Sequence, residues 1–381
     1  MVYQEDFEVE QFMDKYETSI TNNMAETCCE SISINQVFEL IQNDLEKSKL
    51  VSQLLDTKLT YGHIKGSPEL KQSIKQLYET ELTSDDIIIT NGAIGANFLT
   101  LYSIVNPGDK VICVDPTYQQ LPSVSKLFSE NTVLSWKLKY ENNYKLNIDE
   151  LESFMSQNPK LLIINNPNNP TGAVIDDTQL KKVVEICKKH NVIILCDEVY
   201  RPLYTRGIDT PKSIVSYDYD NVISTSSMSK AFSMAGLRLG WIVTKNKEIM
   251  KQITSKRDYN MISISMIDDL LAAFALKHYK SILNRNDKLC EKNLKIISDY
   301  VENHKYLDFM KPLGGSVCFI KVASKFDTFN LCTTLADEFK TLVVPGEVFN
   351  YPGFLRIGFG NSTNDLINGF KQLDKYFEKY E

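Results

Sequence analysis

Between residues 50 and 256 the chain alternates short apolar runs with longer stretches of helix-like periodicity. The runs are Ile87 to Thr90, Lys110 to Val114, Leu161 to Asn165, Val192 to Cys196, Asn221 to Thr225 and Leu239 to Thr244. Runs this short, bounded by glycine, proline and asparagine, read as buried strands. One intervening helix is expected to start at Ser67-Pro68-Glu69, where serine can cap and proline fits the first turn. Such alternation predicts a large domain with a mostly parallel sheet sandwiched by helices. After Ile267 the pattern turns helical through Val301. Beyond it come strands near Ser316 to Val322, Leu342 to Val344 and Phe354 to Phe359, with helices at Thr328 to Lys340 and Thr363 to Lys379. This tail predicts a smaller C-terminal α/β domain, joined by the N-terminal segment. The expected division is 45–265 for the large domain and 1–44 with 266–381 for the small one. The sequence has no repeat and no low-complexity linker, so the join is expected to be a long helix.

Composition bounds this picture. A chain of 381 residues exceeds one ordinary core, and 43% hydrophobic content leaves ample material to bury. The net charge of -7 argues against a nucleic-acid surface. No apolar run approaches the 18 or so residues of a membrane span. The start, with Gln4-Glu5-Asp6 and Glu8, lacks the basic residues of a secretion signal, and a cytoplasmic location is expected. Eight cysteines without CxxC pairs suit reduced thiols and no metal site. The adjacent Cys28-Cys29 is unusual; ordinary burial is the first expectation, a place at the substrate entrance the second.

The strand ends hold the candidate chemistry. Asn166-Pro167-Asn168-Asn169-Pro170-Thr171-Gly172 follows the run Leu161 to Ile164, and ligands in open α/β sheets bind at such carboxyl ends. The run Val192 to Cys196 leads into Asp197-Glu198-Val199-Tyr200, and a charge there is costly unless it meets a cation. Ser227-Met228-Ser229-Lys230, with Gly236 and Arg238 soon after, puts a hydroxyl, an amine and a guanidinium in one loop. Cationic and hydrogen-bonding neighbours of this kind are expected to favour the neutral, nucleophilic form of Lys230 that a Schiff base requires. Gly92-Ala93-Ile94 opens a helix after a strand, offering free N–H groups to an anion. Arg356 lies alone in the apolar run Phe354-Leu355-Arg356-Ile357-Gly358-Phe359. It wants an anionic partner, either a ligand or an internal carboxylate.

Taken in order along the chain, from about Tyr61 to Arg356, these blocks resemble the class I/II aminotransferases, fold-type I pyridoxal-phosphate enzymes. The resemblance implies pyridoxal 5'-phosphate as cofactor, held by Lys230 as an aldimine, with Lys230 later moving the substrate's α-proton. It implies Asp197 against the pyridine nitrogen, Asn169 and Tyr200 donating to the phenolic oxygen, and Tyr118 stacked on the ring. Ser227, Arg238 and the backbone of Gly92, Ala93 and Ile94 would hold the phosphate. The family often has a hydroxyl or lysine near Ile94, so here the grip is expected to lean on backbone. Arg356, with Asn169 beside it, would bind the substrate α-carboxylate. Tyr61 would reach across a homodimer to the partner's phosphate.

Transamination between an L-amino acid and a 2-oxo acid is the expected reaction. A carbon-sulfur β-lyase or a related elimination or cyclisation enzyme is the alternative on the same scaffold. A non-catalytic, cofactor-sensing regulator is disfavoured, because fewer than about 60 acidic-biased residues precede Tyr61 and no basic recognition helix is apparent. The segment Ala25 to Ser31 departs from the glycine-rich forms of the family, which leaves the substrate side chain open.

Overall fold

The computed structural model describes residues 4–380. After a short strand β1 (Asn22–Asn23), seven strands build the main sheet: β2 (Ile87–Thr90), β3 (Val111–Asp115), β4 (Val133–Lys137), β5 (Leu161–Asn165), β6 (Ile193–Asp197), β7 (Val222–Ser227) and β8 (Gly240–Val243). Their spatial order is β2-β8-β7-β6-β5-β3-β4, with β8 alone antiparallel to its neighbours. β2, β5, β7 and β8 are buried along their whole length, as expected where helices cover both faces. Side chains alternate between two cores: Ile87, Ile89, Leu162 and Ile164 pack in one, Ile88, Leu161, Ile163 and Leu195 in the other.

Most expected strands appear within one or two residues of their predicted ends. Within the main sheet the exception is β4, which the apolar pattern missed. It is an edge strand that pairs only with β3, and Ser135 and Lys137 are exposed.

A second, smaller sheet has the order β12-β13-β10-β9 and is antiparallel throughout, from β9 (Leu307–Phe309), β10 (Val317–Val322), β12 (Val344–Pro345) and β13 (Phe354–Gly358). The run expected as one strand, Leu342 to Val344, is divided. β11 (Thr341–Leu342) pairs with β1, whereas β12 turns to pair with β13. The β1–β11 pairing draws the N-terminal segment onto this unit. The single helical stretch expected from Ile267 to Val301 is two helices, Met266–Lys277 and Tyr279–Glu302, separated at His278. At that break Glu46 accepts from Lys277 and meets the His278 ring, at 2.9 and 2.7 Å, so the interruption is tied to the helix Asp44–Asp56.

Two features of this fold position the site. Strand register sets Asn165 opposite Asp197, Asp197 opposite Thr225, and Ser227 and Thr90 each opposite Gly240, so the functional blocks leave the sheet side by side. The segment Met24 to Cys29 crosses directly over β13. Gly358 N–H donates to Met24 O at 2.7 Å, and a Cβ on Gly358 would stand 1.8 Å from Glu26 O, so only glycine permits that approach.

Candidate active site

A cavity of about 440 Å³ lies where the carboxyl ends of β5, β6 and β7 face the N-terminal segment, and it is lined by Asn169, Asp197, Tyr200, Ser227, Lys230, Arg238 and Arg356 among others. A larger space of about 800 Å³, between the helices Asp44–Asp56 and Met266–Lys277, contains none of the expected site residues.

Asp197 ends β6 and is 2% exposed. Asn97 Nδ2 and the Val199 N–H donate to its carboxylate at 2.8 and 3.0 Å. Thr225, on β7, donates to Asn97 Oδ1 at 2.6 Å and so turns the amide nitrogen toward Asp197. No cation pairs with this carboxylate among the described residues. Burial outweighs the two donors and pushes its pKa up to about 6.

Lys230 Nζ donates to Thr27 Oγ1 at 2.5 Å and lies 3.3 Å from Cys28 Sγ. Burial lowers its pKa, but Cys28, Tyr200 and Glu26 act the other way and the net shift is upward. This corrects the expectation that cationic neighbours keep the amine neutral, because the groups around it are acids and hydroxyls. The Cys28 thiol and Tyr200 phenol are themselves raised by burial, to about 11 and about 12, so both are neutral near pH 7. Of these three neighbours Glu26 is the one that is an anion at that pH.

Tyr200 is buried, and its hydroxyl makes no well-formed hydrogen bond in the chain, although Thr27 is near it. Arg356, 3% exposed on β13, lies over the Phe349 ring at 5.4 Å. It donates to Asn169 Oδ1 and Ala25 O, each at 3.3 Å, and its Nε has no partner. Burial lowers its pKa. The alternative of an internal salt bridge is not realised among the described residues.

Gly92 opens the helix Gly92–Ile104 with φ of 70°, and a Cβ there would lie 3.0 Å from Arg238 Nη2. The guanidinium therefore sits over a helix start whose N–H groups are free, which is an anion cradle. Ala93 and Ile94 line the same cavity, and Ser227 is fully buried at the end of β7. Tyr118 also lines the cavity and donates to Glu10 at 3.1 Å. Tyr61 is different: it is 65% exposed and does not line the cavity of its own chain.

Several lining residues escaped sequence reasoning. Asn97 is one turn into the helix after Gly92. Glu26, Thr27 and Cys28 arrive only through the packing of their segment on β13. Glu10, Met13 and Glu17 line the mouth; their i, i+3, i+7 spacing is the signal that could have marked them as one helix face. Cys28 and Cys29 are both buried, as first expected, and Cys28 also lines the cavity.

These residues suit pyridoxal phosphate on physical grounds. The buried carboxylate lacks a cation that a pyridinium would supply, the Tyr200 hydroxyl lacks an acceptor, and the Gly92 cradle lacks an anion.

Fold and cavity together define a pyridoxal-phosphate-dependent enzyme of the aminotransferase type. Residues 37–370 match the family aminotransferase class I and II, and the chain belongs to it. It is 31% identical over 333 residues to an aspartate aminotransferase from Sulfurisphaera tokodaii, covering 84% of this chain and 82% of that one. A pyridoxal-phosphate-dependent aminotransferase from Streptococcus suis superposes with a TM-score of 0.93 at 36% identity, covering 99% of each chain. Capreomycidine synthase from Streptomyces vinaceus is 27% identical over 290 residues, covering 76% of this chain and 74% of that one. The substrates are accordingly an amino acid and a 2-oxo acid. Among the described residues no helix is long and apolar enough to cross a membrane.

Proposed function

We propose that this cavity transaminates L-amino acids through Lys230, and that the pairing of an uncompensated buried Asp197 with a separate buried Arg356 is the observation that carries the reading. Pyridoxal phosphate supplies an aldehyde that takes up amines and a ring that withdraws electrons from the substrate α-carbon. Asp197 would hold the ring nitrogen protonated; in the chain alone burial raises its own pKa, as expected of a buried carboxylate without an ion-pair partner. Ser227, Arg238 and the N–H groups of Gly92, Ala93 and Ile94 grip the phosphate. Tyr118 covers the ring, while Asn169 and Tyr200 donate to its phenolic oxygen. Arg356 binds the substrate α-carboxylate through two parallel hydrogen bonds. Lys230 Nζ would hold the cofactor and would accept the substrate α-proton, with Thr27 Oγ1 placed to hold the amine.

The test is a half-reaction. With amino acid alone, about one equivalent of 2-oxo acid per site is expected, after which release stops until an acceptor 2-oxo acid is added. Continuous ammonia release without an acceptor overturns transamination in favour of elimination.

We also infer a homodimer in which Tyr61 completes the partner's phosphate site. Support comes from an apolar exposed rim on neighbouring segments, Leu55, Leu59, Tyr61 and Ile64 with Tyr259 and Ile262, a pattern that marks protein interfaces. Mixing inactive Tyr61→Ala and Lys230→Ala subunits checks it: hybrids regain activity if Tyr61 acts across the interface and stay inactive if it acts within its own chain. A cytoplasmic location fits the eight free cysteines.

A further inference from the structure

Counting charges around the cavity leaves a remainder. Its lining includes four acids and three bases: Asp197, Glu10, Glu17 and Glu26 against Lys230, Arg238 and Arg356. On the reading above, the cofactor engages Asp197, Lys230 and Arg238, and the α-carboxylate engages Arg356. Glu10, Glu17 and Glu26 remain, and none of them makes an ion pair among the described residues. They do not form a random acidic surface. Glu10 and Met13 lie on the helix Glu8–Tyr16, Glu17 follows at its C-cap, and Glu10 is fixed by the Tyr118 hydroxyl. Glu26 is held by the Cys28 N–H at 2.7 Å. Burial would raise the Glu26 pKa, but the Lys230 charge and the Cys28 and Thr27 N–H groups outweigh it, so the carboxylate stays ionised. The Tyr200 hydroxyl and Arg356 Nε, buried in the same cavity without a well-formed hydrogen bond, mark it as a place built for a ligand.

We propose that the side-chain subsite takes an amino acid whose side chain ends in a cation, an amine or a guanidinium, received by Glu26 inside the cavity and by Glu10 and Glu17 at its mouth. This rests on the transaminase reading and names its substrate class. Val9 and Met13, beside the two mouth carboxylates, give the methylenes of such a side chain an apolar wall. Both Glu10 and Glu26 already act electrostatically on Arg356, so a ligand gripped there by its α-carboxylate has them within reach of its field. An aspartate side chain would instead bring a further carboxylate among three, and like-charge juxtaposition is strongly disfavoured.

Two measurements on the loaded enzyme test the proposal. The first is calorimetric binding of unreactive carboxylates. Arginine and ornithine analogues with hydrogen in place of the α-amine should bind about tenfold or more tighter than pentanoate, and glutarate more weakly than pentanoate. Glu26→Gln, which keeps the bond from Cys28, should remove most of that preference, read as the ratio of analogue to pentanoate affinity in the same variant. The two analogues distinguish guanidinium from amine. The second is a half-reaction panel, in which arginine, ornithine or lysine should exceed aspartate by about a hundredfold. Tighter binding of glutarate, or faster reaction of aspartate or leucine, overturns the proposal while leaving transamination intact. Failure of every amino acid to react would overturn the transaminase reading, and the binding preference would still decide the subsite.

Discussion

Asp197 bears a cost in the protein alone that, on the proposed reading, the cofactor would remove. Its pKa is near 3.8 in an unfolded chain and about 6 in the fold. Between those values the folded state keeps a proton that the unfolded chain has lost, so stability falls as pH rises and the loss is complete above about 6. A shift of that size is worth on the order of 2–3 kcal/mol. Cofactor-free Asp197→Asn should therefore melt higher than wild type above neutral pH in a calorimeter, the gap closing toward pH 4, while its turnover falls about a hundredfold or more. An unchanged melting temperature would mean that Asp197 is compensated within the chain. Lys230 makes the complementary case. Its amine is held protonated, so the neutral fraction that can take up the cofactor grows about tenfold per pH unit below its pKa. Reconstitution of cofactor-free protein, followed by absorbance, should accelerate steadily from pH 6 to 9, and a flat profile would argue against a protonated amine. For Arg356→Ala, an amino acid KM raised about a hundredfold with cofactor affinity little changed is expected from steady-state kinetics.

At the scale of elements, the crossing of the Met24 to Cys29 segment over β13 governs the cavity's roof. Gly358→Ala would press a methyl onto Glu26 O, and overpacking of this kind typically costs about 1–3 kcal/mol. The variant should keep its far-ultraviolet dichroism, lose thermal stability and show a raised substrate KM, because Glu26, Thr27 and Cys28 shift together. The same crossing explains what the sequence hid. Lys230, Asp197, Asn169 and Tyr200 were legible because each follows a buried strand within a few residues, so local pattern and site coincide. Glu26 and Cys28 reach Lys230 across some 200 positions of chain, and nothing local marks them. β4 was missed because Ser135 and Lys137 interrupt its apolar pattern at the sheet edge. The break at His278 was missed because it depends on Glu46, far away in sequence.

At the scale of the molecule, the cavity belongs to neither sheet alone. Lys230 and Asp197 come from the ends of the parallel sheet, whereas Arg356 sits on the antiparallel one. With Lys230 and Arg356 in the roles proposed above, an amino acid engaging both would be a tie rod between two separately hydrogen-bonded sheets. A simple amine can reach only the Lys230 anchorage, and a simple carboxylate only the other. On the proposed reading only the complete amino acid would span both, so it alone should slow proteolytic nicking where the sheets meet.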